Sequence, residues 1–339
     1  MKVLIVRLSA MGDVVHTVPV AVALRRAQAV TRIDWLVDRR HAAVLDLFPV
    51  ADRAVAIDPG RSWRRTVAIV RRLRAVEYDA VIDTQGLLKS AVLARLAGGQ
   101  RTIGFAREWL REPLAGRLYT ETVDAGPPDH VARLNLRLLR ALGIDDERID
   151  MMPPRVPSAV ADDVVAATAA RYGVINPGAG WPNKQWPPER FGEVAAAIQK
   201  TRGLPWVVVW GPGEETLARR VEEASAGAAM LAPATSLADL MALMQRASIV
   251  LAGDTGPAHL AAAAGTPIVG LYGPTDPARN GPWSPSDVAV SRFAACACHH
   301  KRRCTAAEWC LGTMGVDAIV AAVERRLLTA ATEGAGRVE

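Results

Sequence analysis

Apolar residues fall along this chain in short runs separated by amphipathic stretches. Val3-Leu4-Ile5-Val6-Arg7-Leu8 predicts a strand, and the glycine-containing turn Ser9-Ala10-Met11-Gly12-Asp13 follows it. An amphipathic helix is expected next, over residues 14–26, with Pro19 tightening its early part. The same grammar recurs to the end of the chain. In the first half it predicts strands at 33–37, 54–57, 80–83 and 102–105, and helices at 63–74, 89–96 and 131–142. In the second half strands are expected at 173–176, 206–210, 249–252 and 268–272, and helices at 188–201, 214–224, 236–246, 257–264 and 316–330. Such alternation implies α/β architecture, with parallel sheets covered by helices on both faces.

A proline-rich stretch, Asp150-Met151-Met152-Pro153-Pro154-Arg155-Val156-Pro157, interrupts the pattern and reads as a linker. With 339 residues the chain is long enough for two domains. We therefore expect two Rossmann-like, doubly wound domains, residues 1–155 and 156–339, facing a cleft. Ligands of such sheets bind beyond the carboxyl ends of the strands. The polar, glycine-rich residues 333–339 are expected to fray.

The longest apolar run, Trp206-Val207-Val208-Val209-Trp210, is far short of the roughly 20 residues a membrane span requires. Arg7 breaks the first apolar run and no small-residue cleavage site follows, so that run reads as a strand rather than a signal peptide, and a cytoplasmic protein is expected.

Charge changes the picture next. The formal net charge is +6 and the pI about 9.4, which suggests an acidic partner. Arg61, Arg64, Arg65, Arg71, Arg72 and Arg74 crowd one predicted helix and its approach, with Arg107 and Arg111 further on. The bland reading is a solvated helix face. The functional one is a surface for a phosphorylated, membrane-resident acceptor. No interleaved aromatics mark this helix as a base-stacking surface, so nucleic acid is not the expected partner.

Three turns carry candidate chemistry. Gly12 lets the first turn close tightly, and Asp13 stands near the start of the next helix, as its cap or as a catalytic base. A helix N-terminus favours the charged carboxylate, so a base there needs desolvation or a nearby carboxylate to offset that effect. The second turn, Asn176-Pro177-Gly178-Ala179-Gly180-Trp181-Pro182-Asn183-Lys184, brings glycines and one lysine to a strand end. There backbone amides and a compact charge can meet a pyrophosphate, although the spacing is not that of a P-loop. In the third, Asp254-Thr255-Gly256-Pro257-Ala258-His259, proline falls in the first turn of a helix that Asp254 or Thr255 can cap. Its free amides form an anion site, and His259 can reach a phosphate or hydroxyl. Tyr272-Gly273-Pro274-Thr275-Asp276-Pro277 ends the next strand and is expected to line the same cleft.

Cys296, Cys298, Cys304 and Cys310 lie in one stretch with His299 and His300. They are numerous enough for a tetrahedral metal site, but their spacing lacks the two-residue knuckle, so reduced cysteines in a loop and no metal are the expectation. No Asp-x-Asp triplet exists to hold a metal on a donor diphosphate, and neither a nucleophile elbow nor a dinucleotide fingerprint appears.

Taken together and in this order, the turns at Gly12-Asp13, Asp254-Thr255-Gly256-x-x-His259 and Tyr272-Gly273-Pro274-Thr275-Asp276-Pro277 resemble those of the ADP-heptose transferases of the lipopolysaccharide core, glycosyltransferase family 9. The segments Tyr78-Asp79-Ala80-Val81-Ile82-Asp83-Thr84-Gln85-Gly86 and Arg111-Glu112-Pro113-Leu114-Ala115 are most similar to its heptosyltransferase I branch. The resemblance implies a GT-B fold and an inverting, metal-independent transfer of L-glycero-D-manno-heptose from ADP-heptose to the Kdo of Kdo2-lipid A. It implies Asp13 as the general base, and Lys184, Gly178, Asp254, Thr255, Gly256 and His259 as donor-binding residues. Arg61, Arg64, Arg65 and Arg111 would meet the anionic acceptor at the cytoplasmic face of the inner membrane. ADP-heptose is then a substrate, and no cofactor is required. The cysteine-rich stretch is closer to heptosyltransferase II-like members, which keeps a heptosylated core as the alternative acceptor. Two other classes compete: a sugar-nucleotide 2-epimerase, whose several catalytic carboxylates are not evident, and a non-enzymatic arginine-rich binding module, which has no use for Asp13.

Overall fold

The computed structural model describes residues 1–59, 63–151, 153–299 and 301–335. The chain divides into two compact units, Met1–Pro154 and Arg155–Glu339. The first contains β1 (Lys2–Val6), α1 (Met11–Val15), α2 (Val18–Arg26), β2 (Arg32–Asp38), β3 (Arg53–Ile57), α3 (Trp63–Arg74), β4 (Ala80–Asp83), α4 (Leu88–Leu96), β5 (Arg101–Phe105), β6 (Glu121–Val123) and α5 (Val131–Arg137). Its six strands are parallel and ordered β3-β2-β1-β4-β5-β6. Chain order reverses between β1 and β4. That gap is where a doubly wound sheet opens a crevice beyond its strand ends.

The second unit repeats the plan. It runs α6 (Ala159–Ala167), β7 (Gly173–Asn176), α7 (Pro188–Arg202), β8 (Trp206–Val208), α8 (Glu215–Ala224), β9 (Ala229–Leu231), α9 (Leu237–Arg246), β10 (Ile249–Gly253), α10 (Gly256–Ala263), β11 (Ile268–Tyr272), α11 (Pro277–Asn280), β12 (Val288–Ser291) and α12 (Val316–Ala335). Its sheet, β12-β11-β10-β7-β8-β9, is also parallel throughout and reverses between β7 and β10. Both sheets are thus the doubly wound α/β sheets expected from the sequence.

The central strands form because both of their faces are covered. Val3, Leu4, Ile5 and Val6 of β1 and Ile249, Val250, Leu251 and Ala252 of β10 are completely buried. Leu4 and Val6 join Leu73 of α3 and Leu93, Ala94 and Ala97 at the end of α4 in one apolar cluster. In the second unit Trp186, Phe191, Ile198 and Trp206 build the corresponding core, and the Trp186 and Phe191 rings meet edge to face at 4.9 Å.

Several expected boundaries move for local reasons. The helix expected over 14–26 is two helices. Pro19 has no N–H, and its ring opposes continuation of the preceding turn, so α1 ends at Val15 and α2 restarts at Val18. The helix expected over 131–142 is α-helical only to Arg137. It tightens into a 3-10 turn over Leu138–Leu142 and ends at Gly143, whose φ is +74°. Strands β6, β9 and β12 were not expected. All three are edge strands of only three or four residues, too short to show a recognisable pattern. The 3-10 segment Arg39–Leu47 was also unforeseen. Residues 336–339, most of the tail expected to fray, lie outside the described residues.

Helices α7 and α8 approach so closely that a Cβ added to Gly192 would lie 2.6 Å from the Val221 carbonyl oxygen. Gly192→Ala must push the two helices apart. Thermal melts should show a loss of about 1–3 kcal/mol, against little change for the exposed Gly180→Ala control, whose added Cβ meets nothing.

Candidate active site

Asp13 stands beyond β1, at the reversal point of the first sheet. Arg7, next after β1, is buried, and its guanidinium donates to the Thr84 carbonyl across the seam with β4. Its Nη2 lies 2.6 Å from Oδ1 of Asp13. The other carboxylate oxygen of Asp13 accepts the Ala10 N–H at 2.9 Å. Asp13 is therefore not the cap of α1, a position held by Ala10, but an acceptor at the third position of the helix, and also half of an ion pair. Its side chain remains one-third exposed. Its partner is a guanidinium rather than a carboxylate. The sequence showed Arg7 only as an interruption of an apolar run; a cation at the carboxyl end of a central strand was the signal for its role.

Two further groups surround this strand end. His41 lies half-buried near Asp13. Burial holds its imidazole below the usual range, against the opposing pull of Asp38 and Asp13. Asp83, the last residue of β4, is completely buried and accepts from Tyr119 Oη at 2.8 Å, Ser90 Oγ at 2.9 Å and the Gln85 and Gly86 amides at 2.9 and 3.2 Å. Burial pushes its carboxyl up, and the four donors only partly offset this. Asp83 fixes the turn after β4. The Gln85 side chain from that turn accepts the Leu8 N–H at 2.8 Å, which ties it back to the strand end beside Arg7.

The reversal point of the second sheet gathers the predicted donor residues. Asn176 ends β7, and its Oδ1 accepts from Thr255 Oγ1 at 3.2 Å, bridging the gap to β10. Thr255 in turn caps α10, accepting the Ala258 N–H at 3.4 Å, while Gly256 opens that helix. Asp254 is buried between two partners, with Lys184 Nζ at 2.5 Å and His259 Nε2 at 3.3 Å. Burial alone would raise the Asp254 carboxyl. The hydrogen bond and charge of His259, then the charge of Lys184, outweigh it and hold the carboxyl well below the usual carboxylate range. Lys184, Asp254, Thr255 and His259 thus form one connected group. Gly178 sits on the same turn, where a Cβ would fall 2.2 Å from the Glu214 carboxylate; its missing side chain makes room for Glu214, a residue the sequence reading did not single out.

The loop bearing Lys184 is braced from the cysteine-rich segment. Lys184 Nζ lies 4.8 Å from the centre of the Trp181 ring, and the Arg302 guanidinium 6.0 Å from it. Asn183 Nδ2 donates to the Lys301 carbonyl at 2.8 Å and contacts Cys298 Sγ at 3.5 Å, and Trp309 Nε1 donates to the Asn183 carbonyl at 3.3 Å. Cys296, Cys298 and Cys310 are buried in the apolar core, with Cys304 packed against it, and Cys296 Sγ and Cys298 Sγ are 3.3 Å apart. Burial raises the Cys296 and Cys310 thiols. Among the described residues no group of three or more His, Cys, Asp or Glu side chains is arranged to hold a metal ion; His300 lies outside them.

Other expectations land elsewhere. Tyr272 does not line a crevice. It is completely buried, with its ring filling the space beside Gly270, and Asp276 caps the short α11 by accepting the Ala278 N–H at 2.9 Å. Arg64 and Arg65 are exposed on α3, with the Arg64 guanidinium 5.6 Å from the Trp63 ring centre, and Arg111 is exposed ahead of a 3-10 turn. Arg61 lies outside the described residues.

The low-lying carboxyl of Asp254 has a consequence for stability. A carboxylate depressed on folding stabilises the protein above its unfolded titration range, near pH 4, and that contribution is lost as pH falls through its folded range. Asp254→Asn should cost roughly 3 kcal/mol at pH 7, with the gap to wild type narrowing as melts are repeated towards pH 3.

Comparison with known proteins agrees with this geometry. The model of glycosyltransferase family 9 (heptosyltransferase) matches residues 66–310. Lipopolysaccharide heptosyltransferase 1 of Pseudomonas aeruginosa is 34% identical over 90% of this chain and 88% of its own length. The protein of that name from Escherichia coli K12 is 34% identical over 82% and 89%. Among solved structures, E. coli heptosyltransferase WaaC with ADP is similar over 98% of this chain and 100% of its own, with a TM-score of 0.75 and 29% identity. With two parallel six-stranded sheets matching those of a GT-B heptosyltransferase, and with sequence similarity along most of its length, the chain belongs to glycosyltransferase family 9, the heptosyltransferases.

Proposed function

We propose that this enzyme transfers L-glycero-D-manno-heptose from ADP-heptose to the Kdo of Kdo2-lipid A, building the lipopolysaccharide inner core. The observation that carries this reading is the connected Lys184–Asp254–His259 group beside the start of α10. It places one mobile-headed cation and the free amides of a helix N-terminus at a strand-order reversal, the arrangement a nucleotide diphosphate requires. Similarity to heptosyltransferase 1 proteins over most of the chain, and to the E. coli WaaC structures with ADP and with ADP-2-deoxy-2-fluoro heptose, supports the choice of donor.

In this reading residues 1–155 bind the acceptor and residues 156–339 the donor. Asp13 accepts the proton of the attacking acceptor hydroxyl as the new C–O bond forms at the anomeric carbon, on the face opposite the departing diphosphate, which inverts the configuration. Lys184 exchanges its contact with Asp254 for the donor phosphates, and with the amides of Thr255 and Gly256 it takes up the charge of leaving ADP without a metal. Asp254 and His259 then face the sugar hydroxyls and phosphate, and Gly178 keeps its turn open. Arg61, Arg64, Arg65 and Arg111 meet the phosphorylated acceptor at the cytoplasmic face of the inner membrane. No helix among the described residues is long and apolar enough to cross that membrane, so contact with it must be peripheral in this reading.

Wild type should transfer heptose to Kdo2-lipid A in the presence of a chelator, and Asp13→Asn should fold normally yet lose about 100- to 10,000-fold in kcat. Wild-type turnover in the variant would leave Asp13 as a structural acceptor only. Transfer to a heptosylated core, but not to Kdo2-lipid A, would keep the donor and move the acceptor. Lys184→Ala should weaken ADP binding by calorimetry about ten- to a hundredfold, the worth of a charged hydrogen bond.

A further inference from the structure

Helices α3 and α4 cover one face of the first sheet, and both carry an outer surface that nothing among the described residues covers. On α4, Ser90, Ala91, Leu93 and Ala94 are buried towards the sheet. Leu88, Val92 and Leu96 recur every fourth residue on the opposite side and are 42%, 39% and 44% exposed. Leu114, on the 3-10 turn that packs beside α4, extends this stripe, and Trp63 at the start of α3 is 72% exposed. Only Leu73 is buried along the whole of α3. Seven large apolar side chains are markedly exposed among the described residues: these five, Val67 on α3, and Leu328. Six of the seven therefore belong to this one region, which is a concentration rather than the usual scatter.

The charge on the two helices themselves has one sign, although at one end of the stripe the Glu112 carboxylate accepts the Leu88 N–H at 2.7 Å. Over Trp63–Arg74, α3 carries five arginines and no acid; over Leu88–Leu96, α4 carries Lys89 and Arg95 and no acid. A protein partner core would favour apolar residues with few cations at its centre. An apolar ridge with an aromatic at one end and cations in excess along its flanks instead matches the boundary between acyl chains and anionic headgroups.

We infer that the outer face of α3 and α4 is a membrane-docking surface, which seats Leu88, Val92, Leu96 and Trp63 in the headgroup layer of an anionic bilayer while Lys89, Arg95, Arg71 and Arg72 pair with lipid phosphates. The inference rests on the reading above for its purpose, since it brings the enzyme to a lipid-borne acceptor. Its physical basis is independent of the reaction. The residues that hold the ridge are distinct from Asp13 and from the donor group of the second unit.

The test is co-sedimentation of the full chain with vesicles of phosphatidylcholine alone or with about a third phosphatidylglycerol, the anionic fraction supplying the surface potential. Wild type should bind the anionic vesicles at least about tenfold more strongly, with the difference shrinking at high salt. The double variant Val92→Asp, Leu96→Asp should lose at least about tenfold in partition, and Lys89→Ser with Arg95→Ser a similar factor, each cation counting for roughly fivefold. Brominated acyl chains should quench the fluorescence of wild type more than that of Trp63→Phe. All five positions are exposed, so melting temperatures should stay near wild type, and transfer to a deacylated, water-soluble acceptor should be unchanged. Equal partition of wild type and the Val92/Leu96 variant overturns the inference, as does a change in oligomeric state with no change in vesicle binding, which would assign the ridge to a second copy. Loss of transfer to the soluble acceptor by wild type overturns the functional reading and leaves the docking surface standing.

Discussion

Asp254 is a carboxylate taken out of water and kept ionised by Lys184 and His259, and the geometry of the second unit's reversal point is organised around that fact. A buried charge of this kind survives only with partners in place, and the partners come from different parts of the chain. Lys184 arrives on the loop after β7, and His259 on the first turn of α10. Thr255 fixes the second against the first through Asn176. The ion pair is therefore more than a local contact. It sets how the two strand-to-helix connections stand to each other, and it presets a cation beside a helix start whose amides are unpaired by the helix itself.

The first unit solves the same topological problem with different groups. Its reversal point is bridged by Arg7, which reaches both the Thr84 carbonyl and Asp13, and by the Asp83 turn, held through Tyr119 and Ser90. Here the buried cation anchors a partly exposed carboxylate, whereas in the second unit a buried carboxylate anchors a partly exposed cation. The two reversal points thus expose groups of opposite sign, and under the proposed function these face the acceptor and the donor. That division suits a reaction in which one partner must give up a proton and the other must leave as an anion.

Much of this was legible in the sequence, because central parallel strands are continuous apolar runs and the residues ending them are few. Val3 to Val6 and Ile249 to Ala252 announced themselves, and with them the turns holding Asp13 and Asp254. The edge strands were silent because Glu121–Val123, Ala229–Leu231 and Val288–Ser291 bury too little to need a strong pattern. The pairing of Lys184 with Asp254 spans 70 residues, and no local rule encodes it. Tyr272 was read only as the first residue of a segment lining the cleft; that its ring turns into the core depends on Gly270, which makes room for it. The arginine-rich helix was visible as charge, but the ridge on α4 emerged only when burial separated Leu88, Val92 and Leu96 from their inward-facing neighbours.

Gly178 and Glu214 show how tightly such a site ties distant positions. The Glu214 carboxylate lies where any side chain at 178 would begin, and it accepts the Gly211 N–H at 3.0 Å, which closes the turn before α8. In evolutionary terms the two positions behave as one character. Alanine at 178 would make the flexible Glu214 side chain swing its carboxylate aside and give up the Gly211 N–H, so the acid in its present place favours the glycine. A lineage that replaces the acid with a smaller residue is released from glycine at the same moment. Substitutions there should therefore be inherited in pairs, and a search for such paired changes would trace the branches of this enzyme's descent through a contact that neither residue reveals alone.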